Sequence, residues 1–61
     1  MHQLTPRETE VAKMIAEGKR NRSIAFSLGI SEQTVKNHVS RVLLKLDAKN
    51  RTQVAIKMLN R

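Results

Sequence analysis

The chain has 61 residues, no cysteine, and 12 Lys and Arg against 5 Asp and Glu, for a net charge of +7. Such a length holds one small domain, read here as residues 1–61, and buries only about 60% of its unfolded surface. Disulfides and thiolate metal sites are excluded, and with no run of about 18 apolar residues and no signal segment the expectation is a cytoplasmic protein without a membrane span.

The charge is uneven. Residues 1–18 hold Arg7 and Lys13 against Glu8, Glu10 and Glu17, whereas residues 19–61 hold ten bases against only Glu32 and Asp47. A basic bias of this size points to a polyanion, nucleic acid before acidic membrane, with a merely solvated basic surface as the plain alternative.

The first predicted helix is "LTPRETEVAKMIAEG". Thr5 is its N-cap, Pro6 takes the first helical position, and Glu8 stands where a capping box needs it. Val11, Met14 and Ile15 form the apolar stripe, Leu4 staples onto the first turn, and Gly18 ends the helix. The second, "NRSIAFSLG", is short. Asn21 is its expected N-cap; Ile24, Ala25 and Leu28 face inward, and Gly29 is the left-handed terminator before Ile30. Ser31 caps the next helix, with Glu32 favouring its dipole. Two helices joined by so tight a turn, with a small Ala25 where they approach, fit a helix-turn-helix; a plain helical hairpin is the alternative.

The third helix, about residues 31–46, clusters Val35, Val39, Val42 and Leu46 on one side, with Leu43 at the margin. Gln33, Asn37, Ser40 and Leu44 project oppositely, flanked by Lys36 and Arg41. Asn and Gln can bond adenine in bidentate fashion, Lys can reach guanine, and Arg and Ser suit phosphates. This face is chemically matched to base edges in a major groove, which admits one helix.

In the fourth, Asn50 and Gln53 have capping-box spacing. Val54, Ala55 and Met58 can pack inward, while Thr52, Ile56 and Leu59 line another face. A second stripe on this helix suggests a partner helix, the alternative being a wide core face or a frayed end.

These pieces together, "LTPRE", "AEG", "N-x-x-IA" with "L-x-I", "S-x-x-TVK-x-HV", "KL" and "NRTQ", make the chain from Leu4 to about Leu59 resemble the LuxR-type helix-turn-helix domain, the DNA-binding output module of bacterial response and quorum-sensing regulators. The resemblance implies an all-α four-helix fold whose third helix enters the major groove of double-stranded DNA. It implies a homodimer on two-fold half-sites with Thr52, Ile56 and Leu59 at the dimer face. By position, Gln33, Lys36, Asn37 and Ser40 would contact bases; Thr34, His38 and Arg41 would contact phosphates, and Asn21 and Arg22 would clamp the backbone. RNA polymerase and an upstream receiver or ligand-sensing domain are further implied partners; a free-standing regulator and an excised domain both fit the chain. No cofactor is implied. Phe26 and Leu44 depart from the usual polar residues, and the expectation is that they cover gaps in the packing, with contact to another domain or RNA polymerase as the alternative.

Other classes fit less well. Ser31, His38 and Asp47 can be written as a triad, but each is expected on the surface with no pocket or oxyanion donors, so no enzyme is expected. His38 lacks further metal ligands at useful spacing. A membrane-surface peptide would need a Lys-rich polar face and more aromatics than one Phe. A protein-interaction module without DNA binding is the runner-up.

Overall fold

In the computed structural model, residues 3–60 are described, and they form four helices: α1 (Pro6–Ala16), α2 (Asn21–Leu28), α3 (Glu32–Lys45) and α4 (Arg51–Leu59). Local chemistry sets most of their ends. The capping box of α1 forms in both directions: Glu8 N donates to Thr5 Oγ1 at 3.1 Å, and Thr5 N donates to Glu8 Oε1 at 2.9 Å. Ser31 Oγ accepts from Thr34 N at 3.0 Å at the start of α3, and Asn50 Oδ1 accepts from Gln53 N at 2.9 Å at the start of α4. The reciprocal arm at α4 reaches one residue further back than the box requires, because Gln53 Oε1 accepts from Lys49 N rather than from Asn50 N.

Three helix exits share one device. Lys19 N donates to Met14 O, Ile30 N to Ala25 O, and Ala48 N to Leu43 O, each closing the last turn around a left-handed residue. Those residues are Gly18 (φ 84°), Gly29 (φ 68°) and Asp47 (φ 54°). Asp tolerates this conformation better than most side chains because it can bond locally.

One expectation about caps is overturned. Asn21 is not the N-cap of α2 but its first helical residue; Arg20 is the cap, with extended backbone and no side-chain capping bond. The Asn21 side chain is occupied elsewhere: its Oδ1 accepts from Arg51 Nη1.

The core joins Val11, Ala12 and Ile15 of α1, Ile24 and Ala25 of α2, Val35, Val39 and Val42 of α3, and Val54 of α4. Fully burying each Val or Ile contributes about 1.5–3 kcal/mol, so these short side chains carry the domain. Leu4, Met14, Leu28, Ile30, Leu43, Leu46, Ala48 and Met58 seal the edges, half-buried. α1 packs on α3 and α4, and α2 packs on α3. Buried Ala25 permits the α2–α3 approach that the tight turn demands.

One charged residue enters this interior. Glu8 is buried, and its Oε1 accepts from Lys45 Nζ at 2.8 Å, tying the start of α1 to the end of α3. The Lys45 hydrogen bond, then that from the Thr5 main chain, hold the Glu8 carboxyl below its ordinary value against the opposing effect of burial. Among the described residues, no helix is long and apolar enough to cross a membrane.

Phe26 and Leu44 do not fill gaps. They are 90% and 79% exposed, because each sits on the side of its helix opposite the valine and isoleucine stripe.

Candidate nucleic-acid interface

α3 is seated by its back and presents its front. Val35, Val39 and Val42 are buried, while Gln33, Lys36, Asn37, Ser40, Arg41 and Leu44 are exposed. Gln33, Asn37, Ser40 and Leu44 follow i, i+4, i+7, i+11 spacing, a stripe about 16 Å long at 1.5 Å per residue. Gln33 Nε2 donates to Asn37 Oδ1 at 3.2 Å. This pairing links two exposed amides and does not use the Gln33 oxygen or the Asn37 NH₂, an acceptor and a donor. Adenine's major-groove edge carries the complementary donor and acceptor.

The flanking cations are not equivalent. Lys36 and Arg41 are exposed, but the Lys45 ammonium is turned inward onto Glu8. Arg51 is likewise engaged within the fold, through Asn21 Oδ1 and the Lys19 carbonyl. Near the start of α2, Lys19, Arg20, Arg22 and Arg51 line an open groove together with the acidic Glu32. The Lys19–Glu17 ion pair at 3.7 Å is solvent-exposed on both sides and contributes little.

The remaining expected residues fall as follows. Asn21 is half-buried and Arg22 exposed, side by side at the start of α2. Thr34 is half-buried, with its hydroxyl 2.9 Å from Ser31 Oγ. His38 is half-buried, and its Nδ1 is enclosed with no hydrogen-bond partner among the described residues, so Nε2 is the ring nitrogen left to meet a ligand. Thr52, Ile56 and Leu59 share the outward side of α4, the last two 51% and 80% exposed. The hydroxyl of Ser31 is engaged by the Thr34 main-chain N–H as a helix cap, not paired with His38 and Asp47. Sequence reasoning missed Arg51 as a builder of this surface; its only signal was its place inside "NRTQ". The withdrawal of Lys45 had none, since its partner lies 37 residues away.

Comparison with known proteins identifies the family. The family described as "Bacterial regulatory proteins, luxR family" matches residues 2–58. The chain is 54% identical over 55 residues to the uncharacterized transcriptional regulatory protein YhcZ of Bacillus subtilis (strain 168), covering 90% of this chain and 26% of that protein. It is 46% identical over 56 residues to the nitrate/nitrite response regulator protein NarL of Escherichia coli (strain K12), covering 92% and 26%. It is 43% identical over 56 residues to the spore germination protein GerE of Bacillus subtilis (strain 168), covering 92% of this chain and 76% of that one. The chain thus spans about a quarter of the length of the first two and about three quarters of the third. Members of this family are transcription regulators rather than enzymes. With its helix-turn-helix formed by α2 and α3, the chain belongs to the luxR family of bacterial regulatory proteins, as a DNA-binding domain.

Proposed function

We propose that residues 1–61 act as one domain that binds double-stranded DNA sequence-specifically in the bacterial cytoplasm, with α3 in the major groove and two copies on two-fold related half-sites. The observation that carries this reading is the exposed stripe of α3, hydrogen-bonded amides flanked by exposed cations on a helix anchored by three buried valines. Gln33, Lys36, Asn37 and Ser40 contact base edges. Thr34, His38, Arg41, Asn21 and Arg22 contact phosphates. The α4 face of Thr52, Ile56 and Leu59 joins the protomers, chiefly on DNA, because two copies at net +7 repel in solution. Half-sites about 34–36 Å apart put both α3 helices on one face of the duplex. In a longer regulator this domain would follow a receiver or sensing domain.

The test is selection from random duplexes, then titration of the selected and scrambled sites at several salt concentrations. If each protomer engages about four to six phosphates, log K falls with log[salt] at a slope of about −4 to −5. Asn37→Ala costs about 1–3 kcal/mol on the selected site and relaxes preference at one position. Arg41→Ala weakens selected and scrambled sites alike. A flat salt response, or an Asn37→Ala protein with intact preference, overturns the assignment.

The exposure of Phe26 and Leu44 favours a second reading, a module that contacts RNA polymerase or another regulator without its own sequence-specific DNA binding. A folded chain that ignores duplex DNA at low salt supports that reading instead.

A further inference from the structure

The start of α2 carries no side-chain cap of its own, since Arg20 makes none. Its fastening comes from 30 residues away. Arg51 Nη1 donates to Asn21 Oδ1 at 2.6 Å, and Arg51 Nη2 donates to the Lys19 carbonyl at 2.6 Å. One planar guanidinium therefore grips both the link that leads into α2 and the first residue of that helix, a two-headed geometry that a lysine ammonium does not reproduce.

The grip has a chemical consequence. An asparagine amide has an acceptor end and a donor end, and an unheld amide can present either. With Oδ1 taken by Arg51, Asn21 is left with Nδ2 as the group to offer. A phosphate oxygen accepts hydrogen bonds and cannot donate one, so this orientation suits the DNA backbone and the flipped one does not. Arg51 itself is half-buried with two of its nitrogens committed inward, so it shapes the contact from behind.

We propose that Arg51 is a positioning residue for phosphate binding: its guanidinium orients the Asn21 amide toward the DNA backbone. This inference rests on the reading of the chain as a DNA-binding domain with Asn21 at a phosphate.

The experiment compares the wild-type chain with Asn21→Ala, Arg51→Lys and the double variant on selected and scrambled duplexes. Binding is measured well below the melting temperature of each, with melts followed by circular dichroism. Arg51→Lys keeps the cation and removes the fork. Each single variant should lose about tenfold in affinity on every duplex, the scale of one charge-assisted hydrogen bond, with base preference unchanged. The double variant should lose no more than the single ones, because both remove the same contact. Losses that multiply in the double variant overturn the proposal, since Arg51 would then meet DNA independently. An Arg51→Lys protein that melts lower yet binds like wild type also overturns it, leaving a purely structural role. An Asn21→Ala protein with wild-type affinity, in a chain that still binds duplex, removes the Asn21 contact and this proposal with it. A wild-type chain that binds no duplex at all defeats the broader DNA-binding reading instead.

Discussion

Glu8→Gln isolates the charge of one buried carboxylate. The Glu8 side chain is 3% exposed and that of Lys45 24%, with the two joined at 2.8 Å. Glutamine keeps the shape, and its oxygen can still accept from Thr5 N, so the capping arm survives. What disappears is the charge-assisted bond to Lys45. Removing one partner of a fully buried pair costs about 3–5 kcal/mol. Here Lys45 reaches water and can re-solvate, so the loss lies nearer a single charged hydrogen bond, about 2 kcal/mol. Total stability at this length is about 3–9 kcal/mol, and each kcal/mol moves the midpoint by about 4–8 °C. The variant should therefore melt roughly 10 °C lower at neutral pH. The pH dependence follows from linkage. The folded-state pKa of Glu8 is depressed below the ordinary value of 4.5, so the unfolded chain takes up the proton first on acidification. Its contribution is complete above the unfolded pKa and is lost as pH falls through the folded one. The gap between wild type and Glu8→Gln should accordingly be constant near neutrality and close as pH drops below about 4.5. Circular-dichroism melts of both proteins from neutral pH to pH about 3 measure this. A neutral-pH difference under about 2 °C, or a gap that persists unchanged in acid, would refute the assigned role of the pair.

Two further outcomes are expected. Ala25→Leu should lower stability by about 1–3 kcal/mol despite its conservative chemistry, because Ala25 is buried where α2 packs on α3 and extra methylenes have no room; an unchanged melting curve would remove Ala25 from that contact. Ile56→Glu should fold normally, since Ile56 is exposed and off the core, and should bind a single half-site as wild type does while losing cooperativity on a two-fold site; equal cooperativity in titrations of one-site and two-site duplexes would move the dimer contact elsewhere, with Phe26 and Leu44 next to test.

Much of the fold was legible because it is written in residues three or four apart. The Thr5–Glu8 box, the Ser31 and Asn50 caps and the valine stripe of α3 each depend on neighbours within one or two helical turns, and each formed as read. The free faces followed by geometry, since a helix that buries Val35, Val39 and Val42 must turn Gln33, Asn37 and Ser40 away from them. Contacts between distant helices decided the rest. Asn21 has the chemistry of an N-cap, but Arg51 claims its oxygen across 30 residues, a competition that no local pattern records. Glu8 reads as a cap alone until α3 brings Lys45 beside it, which also takes one cation out of the charge available to DNA. From sequence, packing is the expectation for Phe26, yet its angular position on α2 puts it outside. Local hydrogen bonds and periodicity chose the helices; the relative placement of those helices decided which polar groups are consumed inside the fold and which remain free to meet a partner.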